Sequence, residues 1–125
     1  MTPKELKNRY SLKIAVQMDN PLSLNRDTDS TLALIEEAIK RKYKVFVYTV
    51  ENLSLKDNTP ITFGYEVISV NVKNTNYIKL GNLESKKLNS FDVILVRQDP
   101  PFNMKYITAT HILEKINNKT KIINN

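Results

Sequence analysis

Phe91-Asp92-Val93-Ile94-Leu95-Val96 is a near-continuous apolar run, and it restricts the fold more than any other segment. A strand with one wet face alternates apolar and polar residues. A run of this kind instead fits a strand buried on both faces, as in parallel sheets covered by helices. The amino-terminal third agrees. Leu12 to Met18 reads as a strand with Ile14 and Val16 on one face. Asp19-Asn20-Pro21 ends it, because Asx and Pro favour a turn. Asp27-Thr28-Asp29-Ser30 is a helix start signal, with short side-chain oxygens for the first-turn amides and acids for the positive end of the dipole. Leu32, Ile35, Ala38 and Ile39 then recur at helical spacing. The helix is predicted to reach about Arg41, with Lys40, Arg41 and Lys42 at its C-terminal end. Val45 to Val50 is a second strand. Leu12 to Val50 is thus a strand–helix–strand unit, the pattern of a parallel sheet with a right-handed crossover.

The middle differs. Leu53 to Asn58 and Ile61 to Val72 hold β-branched and aromatic residues broken by Asn, Thr, Pro and Gly, which predicts two or three short strands or a hairpin excursion. Asn74 to Leu83 is similar, and Ser85 to Ser90 reads as a polar linker with a helical turn. After the buried strand comes the loop Arg97 to Asn103. Phe102, Tyr106, Ala109, Leu113 and Ile116 then share one helical face. Lys121-Ile122-Ile123 begins a last short strand. The order β-α-β, excursion, β-α-β predicts an α/β fold: an open, mostly parallel sheet flanked by helices, with a short β excursion in the middle.

At 125 residues the expectation is one domain, large enough to bury roughly two thirds of its unfolded surface. There is no cysteine, which excludes disulfides, a thiol nucleophile and a thiolate metal site. No apolar run approaches the roughly 20 residues of a membrane span. Nothing behind Lys4, Lys7 and Arg9 resembles a signal-peptide core. The expectation is a cytoplasmic protein with no membrane partner. The net charge of +6 raises a nucleic-acid or membrane-surface role. Against it, the basic residues are 15 Lys and only 4 Arg, spread along the whole chain. The tightest clusters, Lys40-Arg41-Lys42 and Lys86-Lys87, are not interleaved with aromatics as a stacking surface would be. A basic nucleic-acid-binding domain is therefore the weakest reading.

In open α/β sheets ligands bind beyond the carboxyl ends of the strands. Two loops are predicted there, Asp19 to Ser30 and Arg97 to Asn103. In the second, Pro100 and Pro101 fix their own φ and hold Asp99 extended. Arg97 is suited to pair a substrate carboxylate; the alternative is that Arg97 and Asp99 brace the loop. Asp19 and Asn20 are candidates for the same cleft, with turn formation as the plainer explanation. Asp29 and Ser30 are candidates too, against helix capping. His111, the one histidine, reads as a solvated helix residue. No group of residues has the spacing of a metal site or a catalytic cluster. No phosphate-cradling glycine loop exists either, since the glycines are Gly64 and Gly81.

Val93-Ile94-Leu95-Val96-Arg97-Gln98-Asp99-Pro100-Pro101-Phe102 resembles the strand and Arg-Lys-Asp-Pro-Pro-Phe-Asp loop of bacterial glutathione synthetases. Tyr106-Ile107-Thr108-Ala109-Thr110-His111-Ile112-Leu113-Glu114 is similar to that family's Ala-Thr-x-Ile-Leu-Glu helix. Ile14-Ala15-Val16-Gln17-Met18-Asp19 resembles its opening strand and Met-Asp. Asp29-Ser30-Thr31-Leu32-Ala33-Leu34 resembles its Asp-Ser-Ser-Phe-Ala-Met, and Ile122-Ile123-Asn124 its Ile-Val-Asn. The ordered set spans about residues 12 to 125. Three positions depart: Gln98 replaces a usual Lys, Asn103 replaces Asp, and Lys42 stands where a Gly often closes the helix. A β-carbon is costly there if the backbone is left-handed.

The resemblance implies a Rossmann-like pre-ATP-grasp domain, the N-terminal, substrate-side part of an enzyme that ligates γ-glutamylcysteine to glycine through an acyl phosphate. It implies ATP and magnesium for the complete enzyme and none held by this chain alone. It also implies that most catalytic residues belong to an ATP-grasp portion absent from these 125 residues. The implied partners are γ-glutamylcysteine or glutathione, an ATP-grasp domain or subunit, and a further copy in a homo-oligomer. The chain is then a fragment or one part of a split enzyme; the alternative is a non-catalytic relic serving as an interaction module.

Overall fold

The structure is a computed structural model, and it describes residues 11–22, 26–71, 77–97, 104–116 and 119–124. Its elements are β1 (Lys13–Gln17), α1 (Arg26–Lys40), β2 (Lys44–Tyr48), β3 (Leu53–Lys56), β4 (Thr59–Asn71), β5 (Tyr77–Lys87), β6 (Val93–Val96), α2 (Met104–Leu113) and β7 (Lys121–Asn124). Short 3-10 turns at Val50–Asn52 and Leu88–Ser90 link β2 to β3 and β5 to β6.

The strands form one mixed α/β sheet in the order β3-β4-β2-β1-β6-β7, with β5 on the other edge of β4. The pairs β1–β2, β1–β6 and β6–β7 are parallel, while β2–β4, β3–β4 and β4–β5 are antiparallel. The predicted mostly parallel sheet is therefore parallel in one half only. The excursion is also longer than expected. β4 has 13 residues and β5 has 11, and β5 takes in the first half of the segment read as a polar linker, whose second half, Leu88–Ser90, is the expected helical turn. The reason is that β5 pairs with β4 alone. An edge strand buries little, so its Lys, Asn, Glu and Ser leave no alternating apolar signal.

The central strands are covered on both faces, as the apolar run demanded. Alternation along β1 sends Ile14 and Val16 to one side, where they pack with Leu32 and Ile35 of α1 and with Val45 and Val47 of β2. Ala15 faces the other side, with Phe46, Tyr48, Ile94 and Val96, under Ala109, Ile112 and Leu113 of α2. Phe46 and Phe91 stack at 5.5 Å between ring centroids, tilted by 35°. Each such large apolar side chain contributes about 1.5–3 kcal/mol on burial.

α1 begins at Arg26, so Asp27 to Ser30 lie inside the helix rather than ahead of it. Its end is a Schellman motif. The Lys42 amide donates to Ile39 O at 2.9 Å and the Tyr43 amide to Ala38 O at 3.1 Å. Lys42 has φ 67°, the left-handed conformation for which glycine is the usual residue. The cost foreseen for a β-carbon at this position is thus present. Asp57 and Asn58, at φ 51° and 62°, make the two-residue turn between β3 and β4. Positive φ at both residues matches a type I′ hairpin.

Two predictions follow from backbone geometry. Lys42→Gly is expected to stabilise the chain by about 1 kcal/mol in urea unfolding, the cost of a left-handed non-glycine residue. At Gly64 an added Cβ lies 2.7 Å from the Phe46 ring and closer still to the Val47 carbonyl oxygen. Gly64→Ala is therefore expected to cost about 1–3 kcal/mol. At Gly81 the nearest atom to such a Cβ is 3.5 Å away, so Gly81→Ala is expected to change stability by less than about 0.5 kcal/mol. Equal effects at the two glycines would contradict the close approach of β4 to β2.

Candidate functional site

Because β2, β1, β6 and β7 run parallel, their carboxyl ends share one edge of the sheet, with Gln17 beside Tyr48 and Val96, and Val96 beside Asn124. The pairing continues one step past the strands. The Met18 amide donates to Tyr48 O at 3.1 Å, and the Arg97 amide to Gln17 O at 2.7 Å. The β1–α1 and β6–α2 connections therefore leave from neighbouring points on that edge, the usual ligand-binding position of an α/β sheet.

Among the described side chains of the six residues singled out from sequence, Arg97 and Ser30 are joined. The Arg97 side chain leans on α1, its Nη2 donating to Ser30 Oγ at 3.3 Å and its Nε to Thr31 Oγ1 at 3.4 Å. Ser30 is thus a brace for the guanidinium rather than a helix cap, and Thr31 is buried beside it. A guanidinium has five N–H donors, more than these two contacts use. It is pre-oriented by α1 and still equipped to take a carboxylate in bidentate fashion.

Asn20 lies elsewhere on the same edge. Its Oδ1 accepts from the Leu22 amide at 2.9 Å, an Asx turn that shapes the start of the loop. It also lines a cleft of about 360 Å³ with Tyr48, Glu51, Asn52, Gly64 and Tyr65. Asp19 is half-buried and is not among the cleft-lining residues. Asp29 belongs to α1, one residue before Ser30, but its side chain lies outside the described residues. Asp99, Pro100 and Pro101 also lie outside them. His111 is exposed, with Nδ1 3.8 Å from Glu114 Oε2, a surface contact.

Sequence reasoning passed over a buried polar pair at the base of the site. Tyr48 Oη donates to Gln17 Oε1 at 2.9 Å, between registered positions of β1 and β2. The signal was a glutamine inside an apolar strand. A buried amide needs a partner, and that partner had to come from another strand. Burial pushes the Tyr48 phenol well above its ordinary value near 10, so it remains a donor. The cleft walls Glu51 and Asn52, from the 3-10 turn after β2, were likewise missed. Among the described residues no group of three His, Cys, Asp or Glu side chains is placed to hold a metal ion. No helix among them is long and apolar enough to cross a membrane.

The model of the prokaryotic glutathione synthetase N-terminal domain matches residues 12–125. The chain belongs to this family. Among its relatives is the glutathione synthetase of Brucella melitensis, 43% identical over 114 residues, which are 91% of this chain and 36% of that protein. The glutathione synthetase of Mesorhizobium japonicum is 42% identical, over 90% of this chain and 36% of its own length. That of Buchnera aphidicola from Schizaphis graminum is 32% identical, over 96% of this chain and 37% of its own length. The chain thus spans little more than a third of the curated relatives it matches. The resemblance first carried by the Arg97 loop holds over residues 12–125.

Tyr48→Phe tests the buried pair. Loss of one hydrogen bond is expected to cost about 1 kcal/mol at neutral pH. The pH dependence has a definite sign. The folded-state phenol titrates above the unfolded one, so its contribution is complete below about pH 10 and is lost as the pH rises further. Urea unfolding at pH 7 and about 10.5 is expected to show a smaller alkaline loss in Tyr48→Phe than in the parent. An identical alkaline loss would place Tyr48 in solvent.

Proposed function

We propose that this chain is the substrate-side, N-terminal domain of a glutathione synthetase, acting in the cytoplasm in ATP-dependent ligation of γ-glutamylcysteine to glycine. Its parallel half, with a helix on each face, is read as the Rossmann-like core of a pre-ATP-grasp domain. The observation that carries the proposal is the family match over residues 12–125, in a chain that corresponds to 36% of the Brucella relative.

In this reading Arg97 pairs a carboxylate of γ-glutamylcysteine, or of glutathione as product. Ser30 and Thr31 hold the guanidinium so that little side-chain freedom is lost when substrate arrives. Asp19, Asn20, Asp29 and Asp99 belong to the loops that frame the same edge. An acyl phosphate must be protected from water, so two walls have to close around it. This domain supplies one of them. The described residues do not fit ATP and magnesium: they offer no carboxylate cluster for a cation, and both glycines lie within strands. ATP and magnesium are assigned to an ATP-grasp domain or subunit outside them. Assembly into a homo-oligomer is part of the same proposal.

A second reading, an interaction module without catalysis, draws on Phe63, Ile68 and Leu83, apolar side chains exposed on β4 and β5. One experiment separates the two. The chain is mixed with Brucella melitensis glutathione synthetase lacking its own matching N-terminal segment, and glutathione formation is followed. The first reading expects no product and no ATP hydrolysis from the chain alone, and ligation in the mixture. Arg97→Ala is expected to raise the KM for γ-glutamylcysteine at least about tenfold there, the usual effect of losing a charged hydrogen bond. A stable but inactive complex favours the second reading. Ligation by the chain alone defeats both.

A further inference from the structure

The amino ends of the strands carry a different chemistry from the carboxyl ends. Lys13 and Lys44 are registered partners on the parallel strands β1 and β2. Alternation places them on the sheet face of Ala15 and Phe46, the side that α2 covers nearer the other edge. Like charges directly opposed on neighbouring strands repel each other. Lys86, from the Lys86-Lys87 pair on β5, joins them. The three lysines line a pocket of about 140 Å³ with Glu66 and Ser90, over the Phe46–Phe91 stack.

None of the three lysines makes an ammonium–carboxylate contact with a described residue. Glu66, the one carboxylate in the lining, offsets one of three positive charges. A second carboxylate stands at the same edge, Asp92, whose Oδ2 accepts from the Lys13 amide at 2.8 Å, so the open pocket keeps an excess of positive charge over an aromatic floor. An apolar cavity of about 150 Å³ admits benzene.

The geometry points to a binding site for a small dianionic oxyanion, of the phosphate class, between Lys13, Lys44 and Lys86. An oxyanion of this size can accept from all three ammonium groups at once and relieves the repulsion between the registered lysines. The pocket lies at the opposite ends of β1 and β2 from Arg97, so it does not depend on the proposed ligase role. A phosphate held there does not occupy the carboxyl-end cleft.

Thermal unfolding of the whole chain tests the site, with inorganic phosphate, acetate and chloride compared at equal ionic strength. Phosphate is expected to raise Tm saturably, and acetate and chloride are not. The double substitution Lys13→Gln with Lys44→Gln is expected to abolish the phosphate response. In chloride that variant is expected to melt at or above the parent, because the repelling pair is gone. Lys56→Gln with Lys79→Gln, equal in charge but outside the lining, is expected to respond like the parent. If the double variant does not fold, phosphate calorimetry on Lys86→Gln replaces it, with weaker binding expected. A parent that responds equally to phosphate and acetate overturns the proposal, as does a pocket variant that binds phosphate as the parent does.

Discussion

Strand β1 is the element on which everything else hangs. It is hydrogen-bonded on both edges, to β2 and to β6, and packed on both faces, against α1 and α2. A strand so placed has no polar surface to spare, and this dictates its composition. Ile14, Ala15, Val16 and Met18 bury against one helix or the other, and the polar exception, Gln17, is satisfied by Tyr48 from the next strand. The same pairing sets the site. Parallel hydrogen bonding brings the ends of β1, β2 and β6 level, and the amide of Arg97 closes onto Gln17 O. Arg97 is at the carboxyl edge because β1 holds it there.

Those parts of the fold that obey a simple period are legible in the sequence. β1, α1, β2 and β6 are such parts, since each buries a face or a stripe and the burial is written in apolar spacing. The left-handed end of α1 was legible as well, but only by resemblance: a family glycine flagged Lys42, and the backbone is left-handed there. β5 was not legible. Its buried Ile78 is followed by residues exposed or half-buried, so periodicity has little to report. The segment of β3 and β4 reads as two or three short strands or a hairpin, with Pro60 and Gly64 among its interruptions; it is a hairpin, and β4 runs through both residues. In the fold Gly64 lets β4 approach Phe46 and Val47, and Pro60 sits near the start of the strand.

The site shows the same division at the level of side chains. The loops that carry it could be placed from strand order alone, and Arg97 stood out by its position after a buried strand. What Arg97 touches could not be read. Ser30 and Thr31 are 67 and 66 residues away in sequence, and nothing local marks a hydroxyl as a guanidinium brace. The same limit applied to Gln17 and Tyr48. Contacts between distant segments are consequences of register, and register follows from the whole sheet rather than from any window of sequence.

Strand direction also explains why the two edges of the sheet differ so much in charge. In a parallel array every strand enters at one edge and leaves at the other, so residue types favoured at strand entry accumulate in space. Here Lys13 and Lys44 both stand at entry and meet as registered neighbours, while Gln17 and Tyr48 stand at exit and meet as a neutral, hydrogen-bonded pair. An antiparallel arrangement would have set each lysine near the other strand's exit and separated the charges. The concentration of positive charge at the entry edge is thus a product of topology acting on a lysine-rich composition. Asp92, at the entry of β6, sets a carboxylate against the Lys13 amide at 2.8 Å, yet none of the described carboxylates closes an ion pair with either ammonium.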